Sequence, residues 1–478
     1  MKHLITPALI LTSSAWVCIA DAAPQSQVFT PVAIKETDAQ DAAPGFLEGQ
    51  KVTGSTRNWY ANEHRRFGAT FGYTRDGVRE PTDRRINWVQ ANILKYQSGF
   101  SQGEVGFAVE AAVYNAIALE QDRKDLASAS AASGEPGRGG RGNNRTLTDS
   151  DGDAVGQWSK LGLANVKARI SNTTLTLGRQ NFSSPQVDVL GNRPLPSSFE
   201  GVVLHSEELT NLTMDLGHFS RVSPRTEQSE RRFRPEKGDY RAEASGVDTV
   251  GITYQPLASL TTRFWATQAR DLWNQYYLGA THVVGDDAAL RLTTNLNYYH
   301  TEESGSARLG DINNDAWSLA LGVSHLAHSV TLSYQQVNGN EYFDYLHETN
   351  GIYLTSVAYS DYNGPNEKSM KLSYVLDMAG YGVPGLKFNV YAARGWGIDG
   401  THYDGNHGVA GVGYDGIQKL DNERHREIGG GIAYVFQSGS LKDTNVRATY
   451  SIHRASQYQS DGDIDEFRLV TTIPFDLL

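Results

Sequence analysis

The sequence predicts an all-β protein, a transmembrane antiparallel β-barrel of about eighteen strands with short turns on one rim and long loops on the other. Three observations carry this reading. Apolar residues recur with period two from about residue 50 to the end of the chain. The N-terminus reads as an export signal, yet no later apolar run is long enough for a membrane helix. Aromatic side chains gather at the ends of the alternating segments, where a bilayer interface favours them.

The chain opens with Lys2 and a short apolar run, LITPALILTSSAWVCIA (4–20), and Ala20-Asp21-Ala22 fits a small-x-small cleavage site. Residues 1–22 therefore read as a signal peptide. The single cysteine, Cys18, lies inside it, preceded by Trp16 and Val17 where a lipoprotein signal would carry small residues. An exported chain without disulfides must take its stability from elsewhere. Residues 23–45 are polar and rich in Ala and Pro and predict a flexible N-terminal segment, leaving 46–478 as the barrel domain. Only 39% of residues are hydrophobic, as in a soluble protein, but 48 Gly and 24 Tyr are high. The net charge of -11 speaks against nucleic acid as a partner.

The strands follow in order. Val105, Phe107, Val109, Ala111 and Val113 share one face, opposite Glu104 and Glu110. Leu212, Met214 and Leu216 oppose Asp215, and Val250, Ile252 and Tyr254 oppose Thr249 and Thr253. The clearest segment is 288–299, where Leu290, Leu292, Thr294, Leu296 and Tyr298 oppose Arg291, Thr293, Asn295, Asn297 and Tyr299. Trp317, Leu319, Leu321 and Val323 repeat the pattern, as do Met370, Leu372, Tyr374 and Leu376. Near the end, Val446, Ala448, Tyr450 and Ile452 oppose Arg447 and His453. Long polar connections are expected at 121–156, 223–246, 301–315, 338–350 and 397–426, and short turns at 255–259 and 285–287. The stretch 127–145 is rich in Gly, Ser and Arg and reads as mobile. Trp59, Tyr60, Trp88, Tyr276, Tyr277, Tyr298, Tyr299, Tyr353, Tyr359, Tyr362 and Trp396 are the expected strand-end aromatics.

The final segment, EFRLVTTIPFDLL (466–478), sets Phe467, Leu469, Ile473, Phe475 and Leu477 against Arg468 and Asp476. In a soluble sandwich such an apolar face turns into a core. In a barrel it turns out to lipid, and the charged face lines a wet lumen. Closing the ring, last strand against first, satisfies the backbone groups that lipid would leave unpaired.

Other motifs carry less. GWGIDG (395–400) fits G-x-G-x-x-G but opens no helix, so it has no N-terminus with which to hold phosphate. DSDGD (149–153) and DINND (311–315) have calcium-like spacing, but Lys160 and Gly322 stand where the twelfth-position Glu belongs. His325 and His328 lack a third ligand. The remaining histidines are scattered, and no nucleophile motif surrounds a serine, which speaks against a hydrolase. No cofactor is implied.

Six blocks, in order, resemble the OprD-type family of substrate-specific outer-membrane porins. They are KYQSGFSQGEVGFAVEA (95–111), SKLGLANVKARISNTTLTLGRQ (159–180) with RPLPSSFEGVVL (193–204), QYYLGATH (275–282), YSDYNGPNEKSMKLSYVLDMAGYGVPGLKFNVYAARGWGIDGT (359–401), VFQSGSLKDTNVR (435–447) and HRASQYQSDGDIDEFRLV (453–470). The resemblance implies an 18-stranded barrel in the outer membrane, often trimeric, with a third loop folded into the pore. It also implies passive uptake of small solutes bearing a carboxylate, along an arginine ladder that faces an acidic wall. The matching ladder positions are Arg85, Arg169, Arg447 and Arg468. The third loop would span 181–198 and present Asp188 and Arg193, and the seventh-loop region 341–354, which looks short, would offer Asp344 to the acidic wall. Glu63 and Thr449 stand where fuller ladders carry further arginines. That departure leaves a nonselective general porin as the alternative to a selective channel. An energised receptor would need a plug domain, for which 23–45 is too short.

Overall fold

Branched and aromatic residues at every second position favour extended backbone, because such side chains pack well on a pleated surface. The computed structural model carries that alternation as strands through most of the chain. It describes residues 32–68, 71–75, 78–121, 147–149, 155–239, 241–404, 413–414 and 416–478. The expected signal peptide, the stretch 127–145 and the DSDGD segment apart from Asp149 lie outside these residues.

The strands are β1 (Lys51–Arg65), β2 (Phe71–Arg75), β3 (Val78–Thr82), β4 (Arg84–Gln97), β5 (Gly106–Gln121), β6 (Gln157–Ile170) and β7 (Thr173–Gln180). They continue as β8 (Ser198–Leu209), β9 (Leu212–Ser223), β10 (Val247–Leu257), β11 (Leu260–Ala269), β12 (Trp273–Asp286), β13 (Leu290–Glu303) and β14 (Asn313–His325). The last six are β15 (His328–Asn338), β16 (Lys368–Asp377), β17 (Leu386–Ile398), β18 (Glu423–Val435), β19 (Asn445–Ala455) and β20 (Ile464–Asp476). Eighteen of them form one antiparallel sheet. β1 pairs with β4 on one side and with β20 on the other, so the sheet closes on itself. β2 and β3 form a separate hairpin between β1 and β4. A closed ring has no edge, and its ladders pair the backbone groups that acyl chains cannot.

The faces fall as the alternation predicts. On β13, Leu290, Leu292 and Leu296 are 48%, 43% and 37% exposed, while Arg291, Asn297 and Tyr299 are buried inside. On the closing strand Leu469 and Phe475 are exposed, in a register that sets Arg65 opposite Ile464 and Thr53 opposite Asp476. No helix among the described residues is long and apolar enough to cross a membrane; the strands themselves supply the apolar band. Turns 171–172, 210–211, 258–259 and 326–327 share the rim that carries the start of β1 and the end of β20. Loops 181–197, 224–246, 339–367 and 399–422 leave the opposite rim. In bacterial barrels the short-turn rim is periplasmic and the long-loop rim extracellular.

Three expectations change here. The loop expected at 338–350 spans 339–367, so it is long, not short. Tyr353, Tyr359 and Tyr362 belong to this loop rather than to strand ends, and the loop carries them inward. Tyr353 meets Tyr277 edge-on at 6.3 Å between ring centres, and Tyr362 is 1% exposed. Interface aromatics and loop aromatics look alike in one dimension, because only the fold decides which way a loop turns. The segment expected to be flexible over 23–45 is tied down in its described part. Backbone bonds join Lys35 to Glu208, Ala33 to Thr210 and Gln40 to Ser171, across the periplasmic turns.

Candidate pore constriction

The third loop, 181–197, joins β7 to β8 and crosses the barrel interior. Its first half is anchored by Phe182 and Val187, which belong to a large buried cluster with Phe219 and Trp265. Phe182 lies 5.0 Å from the Phe219 ring and 6.0 Å from Trp265. Its second half is anchored by Leu195, packed among Val89, Ala91, Tyr114 and Trp158. Pro194 and Pro196 flank that leucine and restrict the backbone there. Between the two anchors, residues 191–193 meet the wall where the last strand joins the first.

That wall carries a descending set of inward arginines. Cross-strand partners run Ser451, Glu466, Glu63, Arg85 in one row, then Thr449, Arg468, Ala61, Asn87. Toward the periplasm follow Arg447, Val470, Trp59, Val89, and then Asn445, Thr472, Arg57, Ala91. Inward residues two apart on a strand stand about 7 Å apart. Arg57 donates from Nη1 to the Gly191 and Arg193 carbonyls at 3.3 and 3.1 Å, and from Nε to Thr472 Oγ1 at 3.1 Å. Arg468 points Nη1 at the Asn192 carbonyl, 3.5 Å away, and its guanidinium lies 5.5 Å from the Trp59 ring. Arg447 is close enough to feel the charges of both Arg468 and Arg57.

The four arginines expected in the ladder are thus not equivalent. Arg468 stands beside the third loop, and Arg447 lies in the next row toward the periplasm. Arg85 sits toward the extracellular end, buried, with Nε 2.7 Å from Glu63 Oε2. The residue that interrupts the fuller ladder is therefore the partner of the ladder's outermost arginine. Arg169 faces inward at the periplasmic end of β6, where Nε donates to Gln40 Oε1 at 3.0 Å and the guanidinium stacks 3.9 Å above the Phe100 ring. Arg468 is itself paired, with Glu466 Oε1 2.6 Å from Nη2. Arg57 meets no carboxylate at ion-pair distance among the described residues. Sequence reading passed over Arg57, although alternation through Trp59, Ala61 and Glu63 puts it on the inner face.

The expected acidic wall is placed differently. Asp344 is 4% exposed and accepts the backbone N–H groups of Glu236, Lys237, Gly238 and Tyr345 at 2.9–3.0 Å. It is a loop anchor withdrawn from the pore surface, and burial, only partly offset by those donors, pushes its pKa up to about 6. Asp188 joins the third loop to the seventh, accepting from Asn350 Nδ2 at 3.2 Å, and burial raises its pKa. Arg193 is half-buried, and its carbonyl is one of those Arg57 grips.

Arg225 holds three loops at once. It binds Glu348 through Nε and Nη2 at 2.8 and 3.0 Å and reaches Asn192 Oδ1 through Nη1. Burial opposes ionisation of Glu348, but the Arg225 charge outweighs it and holds the pKa down to about 2. Loops that would otherwise wave above the barrel are thereby fixed inside it.

One cluster resembles a metal site: His425, His453 and Asp461 bring ligand atoms within 4.8 Å of one another. A proton chain accounts for the two rings. The Gly462 carbonyl can only accept, so His453 Nδ1, 2.7 Å away, carries a proton. His453 Nε2 then accepts from His425 Nδ1 at 2.7 Å, and His425 Nε2 faces Glu367 Oε1 at 2.6 Å.

Fold and interior together define a membrane-spanning β-barrel channel whose lumen is narrowed by inward loops. The profile described as outer membrane porin, OprD family, matches residues 44–477, and the chain belongs to that family. It is an outer-membrane porin of Gram-negative bacteria and not an enzyme. It is similar to Porin D of Pseudomonas aeruginosa, at 34% identity over 97% of this chain and 99% of that protein. Among solved structures it is similar to Pseudomonas aeruginosa OccD3 (OpdP), at 41% identity and a TM-score of 0.79, covering 93% of this chain and 95% of that one. Pseudomonas aeruginosa OprD matches at 31% identity and a TM-score of 0.73, covering 92% and 99%.

Proposed function

We propose that this porin takes up small solutes bearing a carboxylate, such as amino acids, small peptides or organic acids, passively through an arginine-lined eyelet. The observation that carries this is the meeting of Arg57 and Arg468, with Arg447 close to both, and residues 191–193 of the third loop inside the barrel. A carboxylate passing there exchanges water for guanidinium forks, and a row of similar sites lets it leave as readily as it enters. The general-porin alternative draws on the pairing of Arg85 with Glu63 and of Arg468 with Glu466, which weakens the field at two rungs. Each barrel encloses its own pore, so the reading is the same for one chain in lipid or for three side by side.

The test is the reversal potential of single channels in a planar bilayer under a salt gradient, with carboxylates and neutral sugars added to one side. A small, anion-preferring conductance that a carboxylate transiently blocks supports the eyelet. A large conductance that no solute disturbs supports the general pore.

A further inference from the structure

The outer wall of the barrel carries a charge pattern that the channel reading leaves unexplained. Lys368 on β16, Arg394 on β17, and Arg424 and Arg426 on β18 are all exposed. Their chain neighbours Ser369, Gly395, His425 and Glu427 are buried on the inner side, so the four cations face outward. Directly below them on the same outer face lie Leu372, Val390 and Ile428, at 52%, 55% and 61% exposure, in the apolar band. The cations stand at the extracellular ends of these strands, where lipid headgroups begin.

Register draws them together. Lys368, Trp396 and Arg424 are successive cross-strand partners, and so are Met370, Arg394 and Arg426 in the next row. Partners across a ladder stand about 5 Å apart and alternate rows about 7 Å apart. The four charges therefore occupy a patch about 10 Å wide, with the Trp396 ring between two of them.

At other places on the outward rim, cations stand beside carboxylates. Asp248 serves His218 and Arg270, and Asp315 serves His300; next to the patch, Arg454, the β19 partner of Arg426, is held by Asp465 together with Arg66. None of the four patch cations makes an ion pair among the described residues, and no carboxylate stands in their two rows. Outward cations concentrated without counter-charge, on a chain of net charge -11, are arranged for an anion that the protein does not supply. Guanidinium forks match phosphate oxygens in pairs, and the depth is that of headgroup phosphates.

We propose that Lys368, Arg394, Arg424 and Arg426 form a binding site on the outer barrel wall for the phosphate groups of a phosphorylated glycolipid of the outer leaflet. Its acyl chains lie against the apolar band below, and Trp396 sits at the interface between the two parts.

The test uses the full chain in detergent, with diphosphorylated lipid A as the probe and retention measured by native mass spectrometry. The variant K368Q/R394Q/R424Q/R426Q is expected to bind at least tenfold more weakly than wild type, with unchanged single-channel conductance, since the patch faces away from the lumen. R270Q, which removes a rim cation already served by Asp248, is expected to bind as wild type does. Heat-modifiable gel migration reports folding, and if the fourfold variant fails it, R394Q/R426Q is read in its place with a loss of at least threefold. Equal retention by wild type and folded variant overturns the proposal. So does equal binding of lipid A stripped of its phosphates, which would leave the apolar band as the whole site.

Discussion

Arg57 offers the sharpest separation of field from positioning at the constriction. It does two things: it adds a cation that no described carboxylate offsets, and its Nη1 holds the third loop by two carbonyls while Nε is held by Thr472. Arg57→Gln removes the charge and shortens the reach. Arg57→Lys keeps the charge but loses the fork. A unit charge about 4 Å from a permeating carboxylate is worth about 1 kcal/mol even at the screening of bulk water, and more inside a narrowed lumen. Arg57→Gln should therefore lower the ratio of carboxylate to neutral-sugar permeation at least about fivefold. Arg57→Lys should keep most of that ratio while the open channel becomes noisier, because each charged hydrogen bond lost to the loop removes about 1.5–3 kcal/mol of restraint. Liposome swelling with size-matched carboxylate and sugar measures the ratio, and single-channel records measure the noise. If Arg57→Gln slows both solutes equally, the arginine wall acts by obstruction and the electrostatic argument fails.

The other predictions concern partners of the same wall and its loops. Arg468→Ala should reduce carboxylate uptake well below its effect on a neutral sugar of equal size, and equal losses in a swelling assay would contradict its place in the ladder. Glu63→Gln removes the carboxylate beside the buried Arg85 and should raise anion preference, read as a shift of reversal potential toward the anion value; an unchanged potential would place Arg85 outside the path. Glu348→Gln should release Arg225 and with it the third-loop contact at Asn192, giving larger and less steady conductance at pH 7. Because the folded pKa of Glu348 is depressed to about 2 from an ordinary 4.5, this clamp is present above pH 4.5 and lost as pH falls toward 2. The part of the noise that depends on this clamp, read as the difference between wild type and Glu348→Gln, should accordingly stay constant from pH 7 to about 4.5 and vanish below it. Gln40→Ala removes the bonds to the Ser101 and Gly103 carbonyls and to Arg169, and should speed proteolysis within 32–45 without altering barrel migration on gels.

The sequence by itself determined the barrel, because its signal is local. Strand alternation has period two, so Leu290 against Arg291, or Phe467 against Arg468, declares its face without knowledge of any neighbour. The same rule put Arg447 and Arg468 on the lumen side, and applied to Arg57 it would have done so there too. Tertiary structure decided what depends on contacts between distant residues. Arg57 and the Gly191 carbonyl are 134 positions apart, and Arg225 and Glu348 are 123 apart, so no window of sequence contains either pair. The pairing of Glu63 with Arg85 follows from strand register. Asp344 had the right chemistry for a pore wall, yet it is taken up by four backbone N–H groups of the inward loops. A buried donor must be satisfied wherever the chain places it, and that demand is settled only once the loops have folded into the barrel.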